Sequence, residues 1–208
     1  MSRKSLQFMC FSHIYVLNFT PDESFLLSGS ADETVKIWSL ESLGYFDCDN
    51  VTMPSLGAAF DHKFLDNNTS FIVATDETNS LRVLKDGFPL HHSPPESSLI
   101  TCLSMCERGN VVSYGCQNGS VRLYYPKSGA IKSLGSHHSK IEAIDIALVV
   151  TGSNHEHEVV VTGSSDGMVK IWWNGGQVFH CEKKHSSLIQ EVRIYSVSCM
   201  FLHKMVLF

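Results

Sequence analysis

The stretch TGSSDGMVKIWW, residues 162–173, admits two incompatible readings. Gly163-Ser164-Ser165-Asp166-Gly167 fits G-x-S-x-G, the turn that lifts a nucleophilic serine between a strand and a helix in many hydrolases. The same letters fit a tight turn between two strands, where Asp and Gly tolerate unusual backbone angles and satisfy neighbouring donors. The residues that follow, MVKIWW, are β-branched and aromatic, a strand pattern and not a helical one. Catalysis by Ser164 or Ser165 is therefore the remote alternative.

Self-similarity points the same way. Residues 28–39, SGSADETVKIWS, align with the opening stretch without a gap: Gly29 on Gly163, Ser30 on Ser164, Asp32 on Asp166 and Trp38 on Trp172. Residues 114–125, YGCQNGSVRLYY, form a third copy with Asn118 at the aspartate place and Tyr124 at the tryptophan place. A weaker fourth, ATDETNSLRVLK, spans 74–85 and ends its pattern at Leu84. The anchors at 38, 84, 124 and 172 are 46, 40 and 48 residues apart. A catalytic elbow has no reason to be duplicated. Upstream of each turn lies an alternating apolar run, such as Ile14-Leu17-Phe19, Ile100-Leu103-Met105 and Ile141-Ile144-Ile146. After each anchor a glycine (Gly44, Gly87, Gly129, Gly176) opens another short run. Each unit therefore reads as four short strands joined by turns.

A four-stranded unit of this length, carrying S-G-S-x-D and I-W, resembles the WD-repeat family of β-propellers. The strict W-D dipeptide is missing: Ser39 follows Trp38 and Trp173 follows Trp172. The resemblance implies an all-β fold, a β-propeller of WD repeats with about four and a half blades in an incomplete ring. The chain is then one domain, 1–208, with approximate blades at 10–50, 51–95, 96–135, 136–184 and a partial one at 185–208. The last begins at His185-x3-Ile189-x2-Val192-x-Ile194, which repeats the spacing after His137. Met200 to Phe208 are expected to supply its second strand.

The resemblance also implies a buried network of histidine, hydroxyl, aspartate and tryptophan in each blade. By position, the last full unit has all four, His137, Ser164, Asp166 and Trp172. The first has Ser30, Asp32 and Trp38, with Cys10 at the histidine place. The third offers Cys116, Asn118 and Tyr124 with Glu96 at that place, and the second has almost none. A partly satisfied buried network is costly, so water or local rearrangement is expected in those blades.

Composition narrows the function. Hydrophobic content of 43% and charged content of 18% suit a globular core, and the net charge of −5 leaves no electrostatic footprint for nucleic acid. No apolar run reaches the roughly 18 residues that span a bilayer. Seven cysteines at irregular spacings point to reduced thiols and an intracellular setting, nucleus, nucleolus or cytoplasm. His91-His92 and His155-Glu156-His157-Glu158 lack the second spaced pair of a metal site, so neither metal nor cofactor is expected. Binding is expected at irregular loops on a rigid scaffold. The candidates are 85–98, with Phe88, His91 and His92, and 152–158, with Asn154, His155 and His157.

Unit order adds a finer resemblance. A strong first unit, a degenerate second, LITCLSMCERGNVVSYGCQNGSVRLYY, and a last unit with a longer first connection resemble the C-terminal half of the PAK-interacting WD-repeat proteins. That subgroup implies large ribosomal subunit assembly and inhibition of p21-activated kinases, with pre-ribosomal components or the kinase as partners. Its lysine-rich tail is absent here. The chain is thus expected to be a non-enzymatic scaffold that binds other proteins, with a ubiquitin-ligase substrate receptor as the alternative.

Overall fold

The computed structural model describes residues 14–19, 25–30, 34–39, 48–52, 60–64, 70–76, 78–85, 88–106, 108–150, 156–173, 178–180 and 185–194. The chain divides into two compact units, Met1–Leu56 and Gly57–Phe208. No helix occurs among the described residues, and none is therefore long and apolar enough to cross a membrane.

The first unit holds one antiparallel sheet: β1 (Ile14–Phe19), β2 (Phe25–Ser30), β3 (Thr34–Ser39) and β4 (Cys48–Thr52), paired in that order. The second unit holds three more. They are β5 (Phe60–Phe64), β6 (Ser70–Thr75), β7 (Leu81–Lys85) and β8 (Phe88–His92); β9 (Ile100–Met105), β10 (Val112–Cys116), β11 (Ser120–Tyr125) and β12 (Ala130–Ser136); and β13 (Ile141–Val150), β14 (Glu156–Ser164), β15 (Val169–Trp173) and β16 (Val178–His180). Every sheet uses strands consecutive in sequence, the four-stranded unit that the repeats imply.

The register repeats as closely as the letters do. Ile14, Ile100 and Ile141 face Ser30, Cys116 and Ser164, and a β-bulge then places Val16, Cys102 and Ala143 opposite Gly29, Gly115 and Gly163. The bulge inserts one residue, so an isoleucine and the aliphatic residue three positions later share one face. The β5–β6 pair has no such bulge.

In the second unit the third and fourth sheets each bury the face that begins with that isoleucine against the sheet before it. Val73, Leu81 and Val83 of the second sheet pack with Ile100, Leu103, Met105, Val112, Tyr114 and Tyr124 of the third. Cys106, Val111, Val121 and Leu123 of the third pack with Ile141, Ile144, Ile146, Val160 and Trp172 of the fourth. The glycines in these junctions are there for space. A Cβ on Gly115 would lie 2.5 Å from Ile141 Cγ2, and one on Gly163 2.2 Å from Ile189 Cγ2.

Two expected loops are structured differently. Within 85–98, residues 88–92 form β8, so the connection to the third sheet shrinks to 93–99. Arg82, Val83, Leu84 and Lys85 pair with His92, His91, Pro89 and Phe88, with a register shift between Val83 and Leu84. Within 152–158, residues 156–158 extend β14, and Val149 pairs with His157. The partial fifth unit begins without a strand: residues 185–194 run over the fourth sheet, burying Ile189 and Val192 against Ala143, Val161 and Val169. Residues 195–208, with the expected second strand, lie outside the described residues.

Candidate interaction surface and the networks that shape it

Three turns in the second unit share one backbone. Asn79, Gly119 and Gly167 have φ of 58°, 84° and 78°, and each donates its N–H to the carbonyl three residues back, Asp76, Cys116 and Ser164. This is a turn closed by a left-handed residue, common in short hairpins. Each of the three then accepts the N–H of the next unit's first residue, Glu96, His137 or His185, at 3.0, 2.9 and 2.9 Å. A Cβ on Gly119 or Gly167 would strike the carbonyl of His137 or His185, at 2.4 and 2.2 Å. Asn79 instead uses its amide, which donates to the Glu96 and Ser98 carbonyls and accepts from Ile100 N–H. The turns are thereby fastened to the segments 93–99, 137–140 and 185–188, and all lie at the same end of the sheets.

In the fourth sheet the hydroxyl that joins histidine to tryptophan belongs to Thr162 and not to Ser164. Thr162 Oγ1 accepts Trp172 Nε1–H at 2.8 Å and lies 2.7 Å from His137 Nε2. Its single proton goes to the Lys170 carbonyl at 3.4 Å, so His137 Nε2 carries the proton in their shared bond. Ser164 lies two residues on, where Oγ donates to the Ser139 carbonyl and accepts Asp166 N–H. Asp166 Oδ1 accepts Met168 N–H at 2.9 Å, the same service Asn118 gives Ser120 N–H in the third sheet. Trp38 in the first sheet donates to Ser28 Oγ at 2.8 Å, again ten residues upstream. Ser30 stands opposite Ile14 in β2. Asp32, Cys10, Asn154 and His155 lie outside the described residues.

The third and second sheets carry other networks. In the third, Tyr114 occupies the place of Thr162, and its hydroxyl donates to Glu96 Oε1 at 2.5 Å. Arg122 Nη1 reaches the same oxygen at 2.8 Å. Burial, followed by the hydrogen bond to Glu96 and its charge, pushes the Tyr114 phenol far above its usual pKa. The second sheet, expected to be nearly empty, gathers its bonds on Asp76. Its carboxylate accepts from Thr78 N–H and Oγ1, Ser80 N–H and Arg82 Nε, and lies 3.2 Å from His92 Nε2. Burial alone would raise the Asp76 pKa, but these bonds outweigh it and hold it at about 2.

Neither serine of the G-x-S-x-G stretch is arranged as a nucleophile. Ser164 is fully buried, a strand follows the turn, and Ser165 Oγ donates to Glu142 Oε1. A nucleophilic serine needs a base in hydrogen-bond reach and an exposed hydroxyl. His137 instead holds Thr162, edge-on to Trp172 with ring centroids 6.0 Å apart.

Of the loop candidates, His92 is tied to Asp76, and His157 lies over the Trp173 ring at 5.4 Å. His91 is half-buried in β8, and Phe88 pairs with Lys85. Motif reading missed the leucines at the turn end. Leu99, 49% exposed, and Leu188, 46% exposed, stand immediately before the first isoleucine of their units, with Lys140 at the same place between them. Their neighbours Gln117, Asn118, His138 and His185 are exposed as well. An apolar residue at a place where polarity is expected was the available signal. Among the described residues no cluster of three or more His, Cys, Asp or Glu side chains is placed to hold a metal. Burial pushes the Cys102 thiol up to about 12, as for an inert core residue.

Known proteins agree with this architecture. The family model described as WD domain, G-beta repeat matches residues 4–39 and 129–172, the stretches that contain Trp38 and Trp172. Apoptotic protease-activating factor 1 of Danio rerio is 26% identical over 171 residues, 80% of this chain and 12% of its own length. The Mus musculus protein of that name is 21% identical over 184 residues, 88% of this chain and 14% of its own. The chain thus spans only 12–14% of these relatives. Among solved structures, the computationally designed Ika8 protein superposes with a TM-score of 0.59 at 23% identity, covering 89% of this chain and 54% of its own. The computationally designed Ika4 protein gives 0.56 at 25% identity, covering 84% and 100%. WD-repeat domains generally serve as non-enzymatic scaffolds for protein interactions. The fold of this chain is all-β, a series of consecutive four-stranded antiparallel sheets of the propeller class.

Proposed function

We propose that this chain is a non-enzymatic scaffold that binds other proteins through the turn end of its sheets, at Leu99, Lys140 and Leu188. The carrying observation is the pair of half-exposed leucines at equivalent places on segments that hydrogen bonds fasten to the Asn79 and Gly167 turns. Exposed apolar side chains on a preorganised surface lower the ordering cost of association. The relatives are named for activating apoptotic proteases. Because the chain matches only 12–14% of each, that activity is not carried over to it.

The finer assignment, assembly of the large ribosomal subunit or restraint of a p21-activated kinase in the nucleolus, nucleus or cytoplasm, rests on the order and degeneracy of the units. Affinity purification with the full chain tests both levels. Pre-ribosomal components, p21-activated kinase and ubiquitin-ligase subunits are the three sets scored. A partner captured by the chain and by Leu90→Asp, at an exposed position of β8, but lost with Leu99→Asp plus Leu188→Asp supports the surface. Equal capture by both variants rejects it.

A further inference from the structure

The hairpin turn of the third sheet sets an exposed asparagine directly before a glycine, Asn118-Gly119. Asn118 Oδ1 accepts Ser120 N–H at 3.0 Å and Ser120 Oγ–H at 2.8 Å. These bonds fold the carboxamide back over Gly119, whose nitrogen can close a five-membered ring on Asn118 Cγ. The backbone N–H of Asn118 donates to Ser98 Oγ at 3.1 Å, and Gln117 N–H donates to the Leu99 carbonyl at 2.8 Å. At the same place in the fourth sheet stands Asp166, before Gly167, and its Oδ1 accepts Met168 N–H at 2.9 Å. The turn therefore serves a carboxylate as well as a carboxamide.

Three features of this arrangement converge on one reaction. Glycine at 119 puts no side chain beside the attacking nitrogen. The two Ser120 donors are aimed at the oxygen on which negative charge develops when Cγ is attacked. The product is a residue type that the repeat already holds at this position. Other asparagines lack the combination. Asn79 precedes Ser80 and gives its Nδ2 to the Glu96 and Ser98 carbonyls, and Asn110 precedes Val111. Asn174-Gly175 shares the dipeptide but lies outside the described residues.

We propose that Asn118 is a site of spontaneous deamidation, in which the Gly119 nitrogen closes on the Asn118 carboxamide and the turn acquires an aspartate. The Gly119 N–H first leaves the Cys116 carbonyl, which it meets at 3.0 Å, by local opening of the hairpin end. Hydroxide takes its proton, and the nitrogen forms a bond to Cγ. The oxyanion rests on Ser120 N–H and Oγ–H. The Cγ–Nδ2 bond then breaks, and Nδ2 takes a proton from water and leaves as ammonia, giving a succinimide. Water adds at Cγ, the bond from Cγ to the Gly119 nitrogen breaks, and that nitrogen regains its proton. One water is consumed and one ammonia released, with no change of oxidation state. The chain, formally at −5, gains one further negative charge beside Ser98 and Leu99. Opening at the other carbonyl gives isoaspartate, which lengthens the main chain by one carbon. The turn fixes both Gly119 N–H and the Gly119 carbonyl, so aspartate is the product that the fold retains. The proposal is independent of the partner reading.

Peptide mapping by mass spectrometry, on the full chain held at mildly alkaline pH, follows each asparagine separately. A parallel sample in urea gives the rate without the turn. In native buffer residue 118 is expected to convert, with aspartate in excess over isoaspartate, while Asn79 and Asn110 keep their amides. Ser120→Ala is expected to slow the native conversion about fivefold, the scale of one lost hydrogen bond, and to leave the rate in urea unchanged. Asn118→Asp, which makes the product directly, is expected to keep the thermal transition of the parent chain. Conversion confined to the urea sample overturns the proposal, because the turn then shields Asn118. Equal native rates for the chain and Ser120→Ala overturn the part given to the Ser120 donors. A lowered transition in Asn118→Asp overturns the claim that this turn accepts a carboxylate.

Discussion

The third and fourth sheets share register, bulge and turn, yet they hold their interiors by different chemistry. The fourth gathers on a hydroxyl: His137 and Trp172 both donate to Thr162, and the hydroxyl passes its proton to Lys170 O. The third uses a carboxylate: Tyr114 and Arg122 both donate to Glu96, which is nearly buried. In each, one oxygen collects two donors, from the connecting segment and β15 in the fourth sheet and from β10 and β11 in the third. What the repeat requires is that convergence, and the residue types that supply it are free to change. Glu96 stands where His137 stands, but the roles are exchanged: the acceptor moves from the strand hydroxyl to the connecting segment. The geometry survives because donor and acceptor swapped together.

That exchange makes the third sheet the more fragile of the two. Glu96→Ala removes the acceptor of both donors and leaves the Tyr114 hydroxyl buried beside an uncompensated guanidinium. Arg122 is partly exposed and can turn to water, so the cost is that of a half-buried pair. A loss of about 3 kcal/mol is expected, near the lower end for breaking a buried ion pair. His137→Ala leaves Thr162 with its tryptophan donor and its carbonyl acceptor, and should cost less. Urea denaturation of both variants measures the difference. A larger loss for His137→Ala would mean that ring packing against Trp172 outweighs the polar chemistry.

A second pair of changes tests which hydroxyl matters. Thr162→Val keeps the shape and strands two buried donors, so it should cost about 2 kcal/mol. Ser164→Ala at the motif serine removes only two long bonds of 3.4 Å and is expected to cost about 1 kcal/mol or less. Equal losses, read from denaturation midpoints at constant slope, would return the linking role to Ser164.

These contrasts also show what could be read from the letters. The repeat was legible because three constraints recur at fixed offsets: a glycine under the next isoleucine, a left-handed turn residue and an aromatic anchor. The placing of the hydroxyl was not, because the motif drew attention to the turn while strand pairing decides the face. Thr162 stands opposite Ile144, beside Trp172, whereas Ser164 stands opposite Ile141 at the strand end. The shared offset of ten residues in Ser28–Trp38 and Thr162–Trp172 was the available signal. The second sheet was illegible for a related reason. Asp76 sits two places before the usual position and still caps Ser80 N–H, so position matching finds nothing where the network is densest. His91 and His92 read as loop because prolines and polar residues surround them, yet pairing with β7 makes them strand.

The smallest expected effect separates the two sheets by pH. An unfolded tyrosine ionises near pH ~10. In the folded chain burial and Glu96 push Tyr114 far above that, burial raises Tyr124, and burial with Glu158 pushes Tyr125 up to about 12. Above about pH 10 the unfolded chain therefore holds fewer protons than the folded one, and stability falls as pH rises. It is fully present below the unfolded pKa. Each such tyrosine contributes a slope of at most about 1.4 kcal/mol per pH unit. Tyr114→Phe costs stability at neutral pH, by loss of a bond to Glu96, but removes its share of the alkaline slope. Thr162→Val lowers stability at every pH and leaves the slope untouched, since the fourth sheet's network holds no group that ionises there. Denaturant midpoints from about pH 9 to pH 11 read both quantities at once. Parallel curves for the chain and Tyr114→Phe would show that the Tyr114 hydroxyl is not held against Glu96, and the contrast between a carboxylate-centred sheet and a hydroxyl-centred one would fail with it.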